Sequence, residues 1–419
     1  MKNILLKTTT LSILASSLVL ASGWRIPESS SKSVALSGAY IANANGADAT
    51  YYNPANMSFN KNILSSEIDL MYVYLPSMTY KDNCSTSANG NFYDGESKEE
   101  KSIVPSIFIS SKAYNDEKVR YGFSVTIPGG LTRRWDTAYQ KAYAEEFTLQ
   151  IIEFNPTMAY KLSNNLSIGG GLRVIYSSGV VKSDGTDANK PAIRDMEGTT
   201  IEYGYNLALS YKPIPSTNIS LTYRSNIDLK EEGNAKLYLS GSKVYDGGTS
   251  VTVPLPAVLA LAVAYDITSR TTLEVEFDRT YWSTYKDLDF EYNDSIPVIL
   301  QSSFDDPKAR NWEDTNAFRI GLTHKISDKL TAMIGYSDDG NPIPDSSVSF
   351  ESPDYNSNTY SFGFDYDLDT KSSIGFGYLY SQKNDRTVKN TNPDGTTYID
   401  GTISDAKAHL ISFAYRTAF

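Results

Sequence analysis

Phe318-Arg319-Ile320-Gly321-Leu322-Thr323-His324-Lys325-Ile326 alternates side chain by side chain. Phe318, Ile320, Leu322, His324 and Ile326 fall on one side, and Arg319, Gly321, Thr323 and Lys325 on the other. A period of two is that of a β-strand, whose successive side chains point to opposite faces. Two more stretches repeat the design. Ile201, Tyr203, Tyr205, Leu207, Leu209 and Tyr211 oppose Glu202, Gly204, Asn206, Ala208 and Ser210. Tyr360, Phe362, Phe364 and Tyr366 oppose Ser361, Gly363, Asp365 and Asp367. Runs of about ten alternating residues have the length and pattern of transmembrane β-strands, with the first face toward lipid and the second toward a lumen.

From about Ile63 onward such runs fill the chain, and their connections alternate in length. Short turns are expected near 115–117, 163–165, 213–216, 268–270, 327–329 and 369–371. Long connections are expected near 76–100, 129–146, 182–198, 230–250, 291–313, 339–354 and 386–404. Asn, Asp, Gly, Pro and Ser populate both kinds, as turn chemistry requires. Short periplasmic turns facing long outer loops are the mark of an outer-membrane barrel. Counting the runs predicts an all-β fold, a transmembrane antiparallel β-barrel of about 14 strands. A soluble sandwich or propeller also alternates, but seven long loops on one side and outward faces dense in Tyr and Leu disfavour it.

The remaining bulk features agree. Lys2 and Lys7, the apolar Leu11–Leu20 and the small Ala21, Ser22 and Gly23 have the layout of a secretory signal peptide, assigned to residues 1–22. The mature chain then comprises residues 23–61, which lack alternation, and a barrel over 62–419. The 419-residue chain carries 31 Tyr against 16 Phe and 4 Trp, an excess suited to aromatic girdles at a membrane–water interface. The net charge of −11 becomes −13 without Lys2 and Lys7, which argues against a nucleic-acid partner. The lone Cys84 permits no internal disulfide, and two histidines supply no His-rich metal site. His324 and His409 both fall on lipid-facing positions, away from any Ser/His/acid cluster, so no enzyme activity, metal or cofactor is expected. Inside the lumen, Glu274, Glu276 and Asp278 share one strand face. Arg173, Arg224 and Arg319 also point inward, where they serve as paired lumen charges or as an anchor for a carboxylate head group.

The segment after the leader reads Ser22-Gly-Trp-Arg-Ile-Pro-Glu, then Ala35-Leu-Ser-Gly-Ala-Tyr, Ala47-Asp48-Ala49 and Asn53-Pro54-Ala55. In order and spacing this series resembles the N-terminal region of the FadL/TodX family of outer-membrane transporters. Val125–Leu131, Phe154–Tyr160, Leu166–Leu172, Pro254–Ala257 and Trp282-Ser283 resemble its later strands. The resemblance implies a fourteen-stranded barrel whose N-terminal segment forms a hatch inside the lumen, with Ala47, Asp48, Ala49, Asn53, Pro54 and Ala55 as its motif. It implies passive uptake of hydrophobic small molecules, either long-chain fatty acids or aromatic and aliphatic hydrocarbons. The hatch would rearrange and the solute leave sideways. Trp24 and Ile26 are then candidate pocket residues. Pro128, Gly129 and Gly130 stand where the family kinks its third strand, with a Gly-Gly in place of the usual aromatic-Gly pair. The terminal Phe419 resembles the signal read by barrel-assembly machinery, and outer-membrane lipid and lipopolysaccharide are the expected surroundings. The rival reading is a structural or adhesin-type barrel, since long loops also serve binding.

Overall fold

The computed structural model describes residues 23–83, 93–188, 190–391 and 397–419. The leader and Cys84 lie outside the described residues. Fourteen antiparallel strands close into one barrel. In chain order they begin with β1 (Ser65–Leu75), β2 (Glu100–Ser110), β3 (Val119–Thr126, resuming at Gly130–Arg134), β4 (Glu146–Lys161) and β5 (Leu166–Asp184). Then come β6 (Ala192–Ile214), β7 (Thr217–Arg224, resuming at Ile227–Leu239), β8 (Ser242–Leu255, resuming at Val258–Thr268) and β9 (Thr271–Thr280). β10 (Thr315–Lys325), β11 (Leu330–Asp339), β12 (Ser357–Asp367), β13 (Ser372–Lys383) and β14 (Lys407–Ala418) complete the ring. It closes where β1 pairs with β14, from Ser65 opposite Ala418 to Tyr74 opposite His409. Closure leaves no free edge, the condition a sheet must meet to span hydrocarbon.

The alternation predicts the faces. Phe318, Ile320, Tyr203, Tyr205, Leu207, Phe362 and Phe364 are exposed outward, while Arg319, Ser361, Asn206 and Ala208 are buried inward. His324 and His409 take outward positions, and the Nδ1 of His409 lies 2.9 Å from the Tyr378 hydroxyl. The short turns fall at the expected places. Three of the long connections do not. Residues 182–198 and 230–250 belong mostly to strands, since β5 runs to Asp184, β6 starts at Ala192, and only Ser240 and Gly241 separate β7 from β8. Residues 130–134 likewise continue β3. These extensions carry charge outside (Asp228, Lys230, Glu232, Lys236) and mostly apolar groups inside (Leu229, Ala235, Leu237), with one buried acid, Glu231, among them. The polarity of the two faces is therefore reversed above the lipid belt. The inward groups join Trp135, Phe350, Tyr80 and Tyr139 in a buried apolar cluster at the outer end of the barrel. Trp282-Ser283, read as part of a strand, forms a short 3-10 turn after β9. Above the lumen, loop segments pair into a separate four-stranded sheet, Arg386–Thr391, Thr397–Ser404, Thr79–Asp82 and Gly95–Glu96.

The N-terminal segment fills the lumen. Helix α1 (Ser31–Ala35) packs on β12 and β13. After α2 (Ala49–Tyr52), a 3-10 turn over Pro54–Phe59 packs on β4, β5 and β6.

Candidate functional site

The hatch is tied to the barrel by buried polar groups, because a plug deprived of bulk water must find partners for its backbone. The Asn53 side chain is engaged at both ends, its two amide hydrogens shared among three acceptors. Its Oδ1 accepts from the Ala55 N–H at 3.1 Å, and its Nδ2 donates to Ser210 Oγ and Ser220 Oγ, both at 2.9 Å, and to the Ile41 carbonyl at 3.2 Å. Pro54 opens the 3-10 turn, a position where its missing N–H is not needed. Ala47, Ala49 and Ala55 are buried and small, which lets the chain lie against its neighbours. Asp48 accepts from Ser30 Oγ at 3.0 Å and from the Tyr40 hydroxyl at 3.3 Å, joining three parts of the hatch.

The wall answers with carboxylates. Glu274 accepts the backbone N–H groups of Ile41, Ala42 and Asn43 at 2.7, 2.6 and 2.8 Å, and Glu276 accepts that of Tyr40 at 3.2 Å. Asp278 bridges two guanidiniums, Arg25 at 3.1 Å and Arg319 at 3.3 Å. Arg319 also holds Asp339 at 2.6 Å and donates to the Ser37 carbonyl at 3.0 Å. Arg173 and Arg224 both pair with the buried Glu153. All three arginines read as inward are therefore matched by acids of the wall. Within the hatch, burial pushes the Glu28 carboxyl up to about 7, against the downward pull of Arg319.

Between hatch and wall lies a cavity of about 60 Å³. Arg25, Arg173, Arg224 and Glu276 line it together with apolar Ile41, Leu255, Val258 and Ala260 and the rings of Tyr51 and Tyr52. Trp24 and Ile26 flank this cavity without lining it; Arg25 and Pro27 do so. Trp24 instead packs edge-on against Trp282 and Tyr285 and tilted against Trp312, with ring centroids 4.8–5.2 Å away, and Ile26 is buried with Val104 and Ile127. A second, more polar hollow of about 170 Å³ opens on the short-turn side, lined by Asn43, Asn45, Asn56, Asn60, Lys212 and Asp266. Ala42 touches this hollow and its neighbour Ile41 touches the first cavity, so the Glu274-bound strip separates the two.

The third strand is interrupted at Pro128 and Gly129. β2 pairs with β3 only from Ile107 to Ser110, leaving Glu100–Ser106 without a ladder partner in β3. The hatch's first residues take that place. Ile26 N–H donates to the Pro128 carbonyl at 2.9 Å, Gly130 N–H donates to the Trp24 carbonyl at 2.8 Å, and Arg25 bridges Gly129 in antiparallel fashion. A Cβ on Gly129 would stand 2.8 Å from the Trp24 carbonyl oxygen, so a glycine is required for this approach. At the far end of the chain, Phe419 donates its N–H to the Leu64 carbonyl at 2.9 Å and leaves its ring exposed.

Sequence reasoning missed Glu153, the common partner of two arginines, and Asp354. Asp354 accepts from Gly23 N–H at 2.6 Å and pairs with buried Lys383. Glu153 could have been found from its inward parity on β4, whereas Asp354 sits in a loop that offers no periodicity.

Comparisons with known proteins agree with this architecture. The chain is 22% identical to Outer membrane protein P1 of Haemophilus influenzae, over 88% of this chain and 89% of that protein. It is 22% identical to the Long-chain fatty acid transport protein of Escherichia coli O6:H1, over 78% and 80%. The fold superposes on a Pseudomonas aeruginosa FadL homologue with a TM-score of 0.83 at 18% identity, covering 95% of this chain and all of that one. The Pseudomonas putida toluene transporter TodX superposes with a TM-score of 0.70 at 16% identity, covering 93% and 98%. The model of the outer membrane protein transport protein family (OMPP1/FadL/TodX) matches residues 12–419, and with a closed barrel around a lashed plug this chain belongs to that family of the bacterial outer membrane.

Proposed function

We propose that the protein is a passive channel for hydrophobic small molecules, long-chain fatty acids or aromatic and aliphatic hydrocarbons. The observation that carries this reading is the cavity between hatch and wall, apolar on one side and next to the interrupted third strand. Solute gathered by the apolar cluster at the outer end passes to this cavity, and displacement of Trp24–Ile26 from Pro128–Gly130 opens a sideways route to the bilayer. At about 60 Å³ the cavity is far smaller than the roughly 300–1,000 Å³ of pockets that hold small ligands. Binding therefore requires the hatch to move. The relatives' names support both substrate kinds, one being called a long-chain fatty acid transport protein and one structural neighbour a toluene transporter. Arg173 and Arg224 share the single carboxylate of Glu153, and Arg25 pairs with Asp278, so the cations that line the cavity are held by wall acids while one positive charge beside Glu153 is left in excess, and both neutral and carboxylate solutes stay within the proposal. Apolar solutes gain about 0.8 kcal/mol per CH₂ by staying out of water, so a path from apolar cluster to bilayer suits them.

The test is uptake into proteoliposomes of a labelled long-chain fatty acid, an n-alkane and a monoaromatic. Protein-dependent entry of at least one is expected. Entry at the rate of empty vesicles for all three would refute transport and leave the adhesin or structural reading.

A further inference from the structure

A second interruption of the wall lies on the other side of the cavity, between β6 and β7. Their ladder holds where Thr217–Arg224 faces Asn206–Ile214 and resumes only where Glu232 faces Thr199, one residue out of register. Across the interval Ser225 N–H donates to the Tyr205 carbonyl at 2.9 Å and Tyr205 N–H to Ser225 Oγ at 3.0 Å. Beyond that pair, no ladder pairing joins residues 200–204 to 226–231 among the described residues. The space is closed by two side chains, Ser225, whose Oγ holds the Tyr205 N–H, and Ile227. Ile227 is 3% exposed and lies across Gly204, where a Cβ would come within 2.6 Å of its Cδ1. β8 is broken at the same height, because Leu255 faces Ile227 and the next residue, Pro256, has no N–H to give.

The surroundings give this gap a direction. Outside it, Ile201, Tyr203 and Tyr205 are 57%, 70% and 47% exposed at the top of the lipid-facing belt, and the charged Asp228 and Lys230 begin just above. Inside it, Arg173, which faces Gly204 in the β5–β6 ladder, donates to the Ser225 carbonyl at 2.7 Å. Arg173, Arg224, Leu255 and Pro256 line the cavity described above. Side chains, Ile227 outermost and Arg173 behind it, thus stand between the outer leaflet and the cavity, where a continuous ladder would otherwise run. We propose that the Gly204–Ile227 contact is a second side door, through which apolar or amphiphilic small molecules already dissolved in the outer leaflet enter the cavity. It is separate from the break in β3 and rests on the transport reading. Swinging one isoleucine costs no backbone hydrogen bond, whereas opening an intact ladder in hydrocarbon leaves donors and acceptors unmet.

The test closes the door covalently. A Cβ on Gly204 lies 2.7 Å from Cγ1 of Ile227. One C–C bond further, the two Cβ atoms are about 2.7–4.2 Å apart, a span that overlaps the roughly 3.5–4.5 Å range of disulfides. Gly204→Cys with Ile227→Cys, in a Cys84→Ser background, is compared oxidised and reduced, beside Ile227→Ala. The probe is a pyrene-labelled fatty acid preloaded in the outer leaflet of phosphatidylcholine vesicles. Its arrival is read by energy transfer from the Trp24–Trp282–Trp312 cluster. A several-fold slowing on oxidation, reversed by reductant, with faster arrival in Ile227→Ala, is expected. Equal rates in all three states overturn the side door while the transport reading stands. No energy transfer in the unmodified protein removes the transport reading and the side door with it.

Discussion

Glu274 ties three consecutive hatch N–H groups to the wall, and its removal has a calculable effect. Its two carboxylate oxygens accept three consecutive backbone N–H groups at 2.6–2.8 Å, and the side chain is buried. Hydrogen bonds to a charged group contribute about 1.5–3 kcal/mol each, and a buried donor left unmet costs about 1–3 kcal/mol. Glu274→Ala strands three donors. The polar hollow beside Ala42 and Asn43 admits water to some of them, which lowers the net loss to about 3–5 kcal/mol of docking free energy. At about 1.4 kcal/mol per tenfold, the undocked hatch gains roughly two to three and a half orders of magnitude in population. Glu274→Gln keeps one acceptor oxygen for Ile41 and Ala42 but turns an NH₂ toward the Asn43 N–H, so its loss is smaller, about 1–2 kcal/mol. Single-channel conductance in planar bilayers, with swelling of liposomes in a small sugar, reports the leak. The order expected is wild type, then Gln, then Ala, with heat-modifiable migration unchanged because the strands do not depend on the plug for their hydrogen bonds. Folded barrels of both variants with wild-type conductance would refute the latch, as would a Gln variant leakier than Ala.

Two further outcomes follow from the site. Asn53→Ala removes one accepted bond and the two amide hydrogens shared among Ile41, Ser210 and Ser220, spanning the hatch, β6 and β7, and should weaken docking by about 2–4 kcal/mol; Pro54→Ala only frees φ and should do less. Uptake and sugar leak measured on the two variants should rank them in that order, and a larger effect from Pro54→Ala would count against the bonding scheme. Deleting Phe419 should lower the amount of assembled barrel in the outer membrane while leaving uptake per folded molecule unchanged. Normal barrel levels would show that the terminal ring, exposed in the structure, is incidental.

The strand pattern was legible because lipid on one side and a polar lumen on the other impose opposite demands on neighbouring residues. Phe318 to Ile326 and Ile201 to Tyr211 show this directly. The same habit of reading concealed the strand extensions. Above the belt, Asp228, Lys230 and Glu232 face water and Leu229, Ala235 and Leu237 face a packed interior, so the alternation persists with its sign reversed and charged residues look like loop. The hatch motif was legible only by resemblance, since nothing periodic marks Asp48 or Asn53. The cavity was not legible at all. Arg25 and Pro27 line it while Trp24 and Ile26 pack beside it, and choosing between neighbours in an irregular segment depends on backbone twist that no pattern records.

The reversal of polarity along the barrel axis also shapes what a passive device can carry. A solute entering from outside first meets an interior packed with Trp135, Phe350, Tyr80 and Leu237, and on the short-turn side would meet Asn43, Asn60, Lys212 and Asp266. For an apolar molecule the first region is downhill and the last uphill, by about 0.8 kcal/mol for each CH₂ returned to water. The axis is therefore a well with one tall wall, and the wall grows with chain length. On the transport reading proposed above, a short aromatic climbs it with thermal energy, while a long alkyl chain stays at the bottom until the proposed lateral route offers hydrocarbon at equal depth. Solute length, more than head-group chemistry, would then decide which way a molecule leaves.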